Sequence, residues 1–145
     1  MTTTAMPSAI DLSEFASRVD SARDDGCPMV LATAADGQPD VSLRGSMMVW
    51  DKDHLAFWER SFLESYDFLL RNPKVAVFYH CPPKKERQLR FYGEARAVSD
   101  PELRERIWDR VVESEKHADP DHKGVPFLIR IDRVRLARDV VQQRG

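Results

Sequence analysis

The sequence predicts a mainly β domain: about six antiparallel strands curled into a small closed or half-open barrel, with three helices beside them. Three observations carry this. Polar and apolar residues alternate with period two, most cleanly over residues 87–98. Short turn signals join consecutive strands, above all Ala35-Asp36-Gly37-Gln38-Pro39. Many short antiparallel strands joined by such turns argue for a barrel. Strand–helix–strand alternation, GxGxxG and P-loop sequences are all missing, which excludes a parallel nucleotide-binding sheet.

The chain of 145 residues is long enough for one domain with a real core. Hydrophobic residues make up 42 % and charged residues 32 %, an ordinary globular balance. A formal net charge of −2 gives no whole-molecule attraction to nucleic acid or to acidic membranes. Neither partner is expected. Cys27 and Cys81 lie far apart with no paired metal spacing and read as buried thiols of a reducing compartment, not a disulfide. No apolar run approaches membrane-spanning length, and MTTTAMPSAI has no basic-then-apolar signal pattern. The expectation is a cytoplasmic protein.

In chain order, residues 1–9 read as a frayed arm. Asp11 or Ser13 can cap a helix reaching about Asp24, with Phe15 and Val19 at helical spacing. Residues 28–34 form a small apolar strand, and Asp36-Gly37 supplies the positive φ that a hairpin needs. The strand within residues 41–49 has two unlike faces. Asp40, Ser42, Arg44 and Ser46 share one; Val41, Leu43, Met47 and Val49 share the other, interrupted by Gly45. The polar strip reads either as one wall of an anion site or as a solvated sheet face.

Asp51-Lys52-Asp53 turns the chain into a strand at 55–58. Ser61-Phe62-Leu63-Glu64 matches a capping box, opening a helix with Phe62, Tyr66 and Leu69 on one stripe and a stop before Pro73. Residues 74–80 are apolar on both faces, as in a central strand, and residues 82–85 form a loop. In the strand at 87–98, Leu89, Phe91, Gly93, Ala95 and Ala97 face inward. Ser99 or Asp100 caps a helix with Pro101 at its first position, burying Leu103, Ile107, Trp108 and Val111. Residues 117–123 form a polar loop. In the last strand, 125–136, the apolar phase switches after Ile131, which marks a bulge near Asp132-Arg133.

Several residues have a chemical reading and a plainer one. His117, Asp119, Asp121 and His122 group metal-ligating types, but Pro120 and the polar setting fit an exposed loop. His80 ends a buried strand and reads as a satisfied core or rim histidine, not a catalyst. Trp50, Trp58 and Trp108 read as core and not as stacking platforms, with Trp58 the exception because its strand ends where the chain turns into the helix at Ser61. Lys84, Lys85, Arg87 and Arg90 make a local basic cluster that Glu86 dilutes, so a solvated loop is the default. No spacing supports a Ser-His-Asp or Cys-His arrangement.

Three segments together resemble the flavin-binding split-barrel family typified by pyridoxamine 5′-phosphate oxidase. They are Arg44 leading Met47-Met48-Val49; Leu55-Ala56-Phe57-Trp58 followed by a helix and Asn72-Pro73-Lys74-Val75; and Glu86-Arg87-Gln88-Leu89. The resemblance covers residues 28–98 well and the rest in outline. It implies a six-stranded, Greek-key, antiparallel split β-barrel spanning residues 1–145 as one domain. It implies FMN, or alternatively a deazaflavin, at the interface of a homodimer, with two-electron chemistry belonging to the isoalloxazine ring. The implied cofactor contacts are Arg44, Gly45, Ser46, Met47, Trp58, Glu59, Arg60, Ser61 and Gln88.

The family pattern is not met everywhere. Trp58 stands where the oxidase has a tyrosine and Glu59 where it has a threonine. Glu64 and Ser65 replace its phosphate-holding Arg-Lys pair. Arg60 and Ser61, a turn earlier, are then the nearest phosphate candidates, unless Ser61 and Glu64 only cap the helix and Arg60 is a surface cation. The oxidase's vitamin-binding residues have no counterparts either. The resemblance therefore implies an FMN-dependent oxidoreductase acting on another small molecule, or a non-catalytic ligand-binding module on the same barrel.

Overall fold

A computed structural model of the chain describes residues 6–145. Eight strands form one antiparallel sheet. They are β1 (Met29–Ala35), β2 (Gln38–Arg44), β3 (Met48–Val49), β4 (His54–Glu59), β5 (Lys74–Tyr79), β6 (Leu89–Ala97), β7 (Val125–Leu136) and β8 (Asp139–Gln143). The order is β2-β1-β5-β6-β7-β4-β3, with β8 on β7. The two ends of that order, β2 and β3, are separated in the chain only by Gly45, Ser46 and Met47. Covalent chain, not a hydrogen-bonded ladder, therefore closes the curl. This is a split barrel, as the sequence implies; the strand expected over residues 41–49 breaks at that closure, and β8 is an addition.

The local chemistry explains each join. Ala35 pairs with Gln38, and Asp36 and Gly37 between them have φ of 51° and 79°, a two-residue hairpin. Tyr92 pairs with Arg133 but Gly93 with Ile131, so Asp132 is bulged out where the apolar phase switches. A Cβ on Gly93 would run into the Arg130 carbonyl, which is why a glycine sits at this close approach.

Among the described residues there are four α-helices: α1 (Ala16–Ser21), α2 (Glu64–Arg71), α3 (Pro101–Arg110) and α4 (Glu113–Lys116). A 3-10 turn at Leu12–Phe15, capped by Asp11, leads into α1. Leu12, Phe15 and Val19 enter the main core with Leu31, Leu55, Val77, Phe91 and Ile129. Phe57 and Phe127 stack there at 5.2 Å between centroids. A second cluster, with Ala56, Trp58, Val98, Ile107, Trp108 and Val111, lies under α3. Asp100 accepts the Leu103 N–H at 2.9 Å, so α3 begins as its sequence predicts.

Five expectations are corrected. Cys27 and Cys81 are disulfide-bonded, not separate thiols. The Val30–Phe78 register, continued outward, places Cys27, two residues before β1, opposite Cys81, two residues after β5, with Cα atoms 5.4 Å apart. Ser61 and Glu64 do not form a capping box: α2 begins at Glu64 with Leu63 as an uncapped N-cap. The polar face of β2 is not the solvated one; Arg44 is buried while Val41 and Leu43 are 68 % and 67 % exposed. Ala97, expected to face inward, is exposed. Of the expected arm, residues 1–5 lie outside the described residues, but Ser8 is held: its N–H donates to Val141 O at 3.0 Å.

Candidate functional site

The split between β2 and β3 is where the expected site residues gather. Ser46 crosses it. Its Oγ accepts the Trp58 N–H at 2.8 Å and donates to the Trp58 carbonyl at 3.3 Å, so the closing segment is stitched to β4. A cleft of about 230 Å³ opens here, lined by Leu43, Arg44, Ser46, Arg60, Ser61 and Glu115 among others. A second hollow of about 170 Å³ lies on the other side of Gly45 and Ser46, against Asp20 and Arg110.

Arg44 ends β2 and points inward. Its Nη1 donates to Glu59 Oε2, its Nη2 to Ser65 Oγ at 2.9 Å and its Nε to Ser42 Oγ at 3.1 Å. Its guanidinium lies over the Phe57 ring at 5.3 Å. Glu59, at the end of β4, is fully buried. Its other oxygen, Oε1, accepts the Ser61 N–H at 3.2 Å, the Ser61 hydroxyl at 3.0 Å and the Phe62 N–H at 3.1 Å. The Ser61 hydroxyl thus donates to Glu59 instead of capping α2, and Glu59 takes the Ser61 N–H that the Glu64 carboxylate of a capping box would have accepted.

At the mouth of the cleft, Arg60 and Arg23 flank one carboxylate, Glu115, with their Nε atoms 3.7 and 3.9 Å from it. Gly45 lies beneath: a Cβ there would meet Arg23 Cδ at 2.8 Å. Asp20 accepts the Val49 N–H at 2.8 Å, and Arg110 clamps the carbonyls of Val49 and Trp50 at 2.7 and 2.9 Å. Burial pushes the Asp20 pKa up, against the opposing pull of the Val49 N–H and Arg110.

The structure therefore gathers Arg44, Gly45, Ser46, Glu59, Arg60 and Ser61, while Met47 belongs to the main core. Trp58 lines the same cleft but is largely buried, edge-on to Trp108 at 4.9 Å. Gln88 stands apart. It precedes β6, which is separated from β2 by β1 and β5. Three strand spacings make about 14 Å. The residues that sequence reasoning missed are Arg23, Ser65, Asp20 and Glu115. They come from helices or helix ends, where a polar residue carries no signal of where it will dock.

Trp58 also anchors the loop expected to be merely exposed. Asp119 there is buried; it accepts the Trp58 indole N–H at 2.8 Å, the Gly124 N–H at 2.7 Å and the Lys123 N–H at 3.0 Å. Burial raises its pKa, but the three donors and His122 outweigh this and hold it below the ordinary 3.8. A depressed carboxyl stabilises the fold above its unfolded pKa and loses that contribution as pH falls through the folded one. The stability margin of the wild type over Asp119→Asn should accordingly be full above about pH 5 and shrink steadily below about pH 4. Urea titrations followed by tryptophan fluorescence check this; a margin constant from neutral to acid pH would remove the charge from the account. No group of His, Cys, Asp and Glu among the described residues could hold a metal ion.

A half-closed antiparallel barrel with a donor-lined cleft at its split defines a split-barrel protein. The family model described as pyridoxamine 5′-phosphate oxidase matches residues 25–137, and the chain belongs to that family. Solved structures agree on the fold. HupZ of Group A Streptococcus superposes with a TM-score of 0.69 at 16 % identity, covering 92 % of this chain and 98 % of that one. An FMN-binding protein from Syntrophomonas wolfei gives 0.66 at 15 % identity, covering 85 % and 86 %. A FAD-binding protein from Mesorhizobium loti gives 0.61 at 21 % identity, covering 84 % and 91 %. No curated protein matches the chain.

Proposed function

We propose that the protein is a homodimeric flavin-dependent oxidoreductase acting on a small molecule other than pyridoxamine phosphate, in the cytoplasm. The observation that carries this reading is the family match over residues 25–137. The split of the barrel at Arg44–Ser61 gives that match a place for a cofactor. A dimer is supported by the exposed apolar residues Val41 and Leu43 on the edge strand β2 and Leu63 and Leu70 on or beside α2. A partner copy covering that face would also bring a second set of site residues to the cleft, which is how Gln88 would reach it. The Cys27–Cys81 bridge is the feature that a reducing compartment would open.

FMN is the flavin that the resemblance implies, and its phosphate is the part that these residues do not fit. Arg44 is committed to Glu59, and the Ser61 hydroxyl is spent on the same carboxylate. The closed Arg44–Glu59 pair also favours a second reading, a non-catalytic ligand-binding module; a deazaflavin is the remaining occupant.

Purified protein incubated with FMN or riboflavin, then gel-filtered, should keep a flavin absorption spectrum in a dimer-sized peak. A colourless peak after both incubations would remove the flavin reading. A monomer-sized peak would remove the interface site.

A further inference from the structure

Every donor around Glu59 is directed at its carboxylate: a guanidinium from Arg44, a hydroxyl from Ser61 and two successive backbone N–H groups from Ser61 and Phe62. Phe62 takes a left-handed φ of 52°, a conformation that bulky residues avoid. Successive N–H groups turned inward in this way form a nest, the backbone device that binds oxyanions. Charged and neutral donors of this kind, converging on one point, are the donor set of a phosphate or carboxylate site. Here the oxyanion belongs to the chain.

We propose that the Arg44–Ser61–Phe62 cradle is an anion site filled by the protein's own Glu59, and that this sets the adjoining cleft against phosphate esters. Taken with the flavin reading, on which the ligand's identity rests, it names the ligand class: a flavin whose side chain ends in a neutral hydroxyl, as in riboflavin. The charges agree. Arg44 and Glu59 cancel. At the mouth, Arg23 and Arg60 share Glu115, leaving one net positive charge on two half-exposed side chains against a phosphate dianion.

The test measures the dissociation constants of FMN and riboflavin by flavin fluorescence. In parallel it measures the melting temperature in inorganic phosphate against chloride at equal ionic strength. Wild type should bind the two flavins within about threefold of each other and gain nothing specific from phosphate. Glu59→Ser, which removes the carboxylate and opens room, should prefer FMN by about tenfold or more and be stabilised by phosphate. Adding Arg44→Met should abolish both gains. A wild type that prefers FMN tenfold, or that phosphate stabilises as it does Glu59→Ser, overturns the proposal. So does a folded Glu59→Ser that gains neither. If neither protein binds either flavin, the flavin reading falls while the phosphate comparison still decides the cradle. If Glu59→Ser does not fold, Glu59→Gln keeps the shape without the charge. It should shift the FMN-to-riboflavin ratio toward FMN by about threefold, and an unchanged ratio overturns the proposal.

Discussion

Arg44→Met is expected to lower the unfolding free energy by about 3–5 kcal/mol, the cost of stranding one member of a buried ion pair. Glu59 has no exposed surface. Without Arg44 its carboxylate keeps the Ser61 and Phe62 donors but loses the guanidinium in contact with it. Methionine replaces most of the arginine volume, so packing over Phe57 is retained and the loss is chiefly electrostatic. The double variant Arg44→Met/Glu59→Met removes both charges. It should recover about 2–3 kcal/mol relative to the sum of the single variants, the size of coupling expected for groups in direct contact. Urea unfolding of the four proteins measures this. Strictly additive costs would mean that the two side chains are held independently, and would undercut the reading of Glu59 as the occupant of the Arg44 cradle.

Opening the Cys27–Cys81 bridge is expected to cost about 4 kcal/mol, because it releases a long loop in the unfolded chain. The two cysteines are 54 residues apart in sequence, and chain entropy for a loop of that size sets the magnitude. The bridge joins the segment ahead of β1 to the segment after β5, two strands already paired, so the native barrel should survive its loss. Thermal unfolding with and without reductant tests this, with Cys27→Ser/Cys81→Ser as control. Reductant should lower the midpoint of wild type to that of the double variant and leave the variant unmoved. Coincident midpoints in all samples would mean that the cysteines remain thiols in solution, as their spacing alone suggests.

Much of the barrel was legible because its signals are local. Asp36-Gly37 can hardly be anything but a hairpin turn, and the phase switch after Ile131 needs an extra residue to keep Val134 inside. The clean alternation of 89–95 became the strand β6, with the same inward set except Ala97. Asp100-Pro101 began a helix for reasons contained in two residues. The region of the candidate site was also legible, since Arg44, Ser46, Arg60 and Ser61 line one cleft.

What failed was each judgement that needed a distant partner. Ser61 and Glu64 have the capping-box spacing, but Glu59 takes the Ser61 N–H and hydroxyl instead and is anchored by Arg44, 15 residues back. Val41 and Leu43 were given an apolar face without any statement of which side the barrel interior lay on. Asp119 sits in a polar loop by sequence, and nothing local marks the indole of Trp58, 61 positions earlier, as its donor.

The sequence by itself determined the fold class, the strand order along the chain, the turns and the family. These follow from periodicity, backbone preferences and short motifs within a few residues of one another. Tertiary structure alone decided which face of β2 turns inward, that Cys27 meets Cys81, and that Glu59 occupies the Arg44 cradle. Each of these depends on how the sheet curls, and the curl brings together groups whose separation in sequence carries no information about their distance in space.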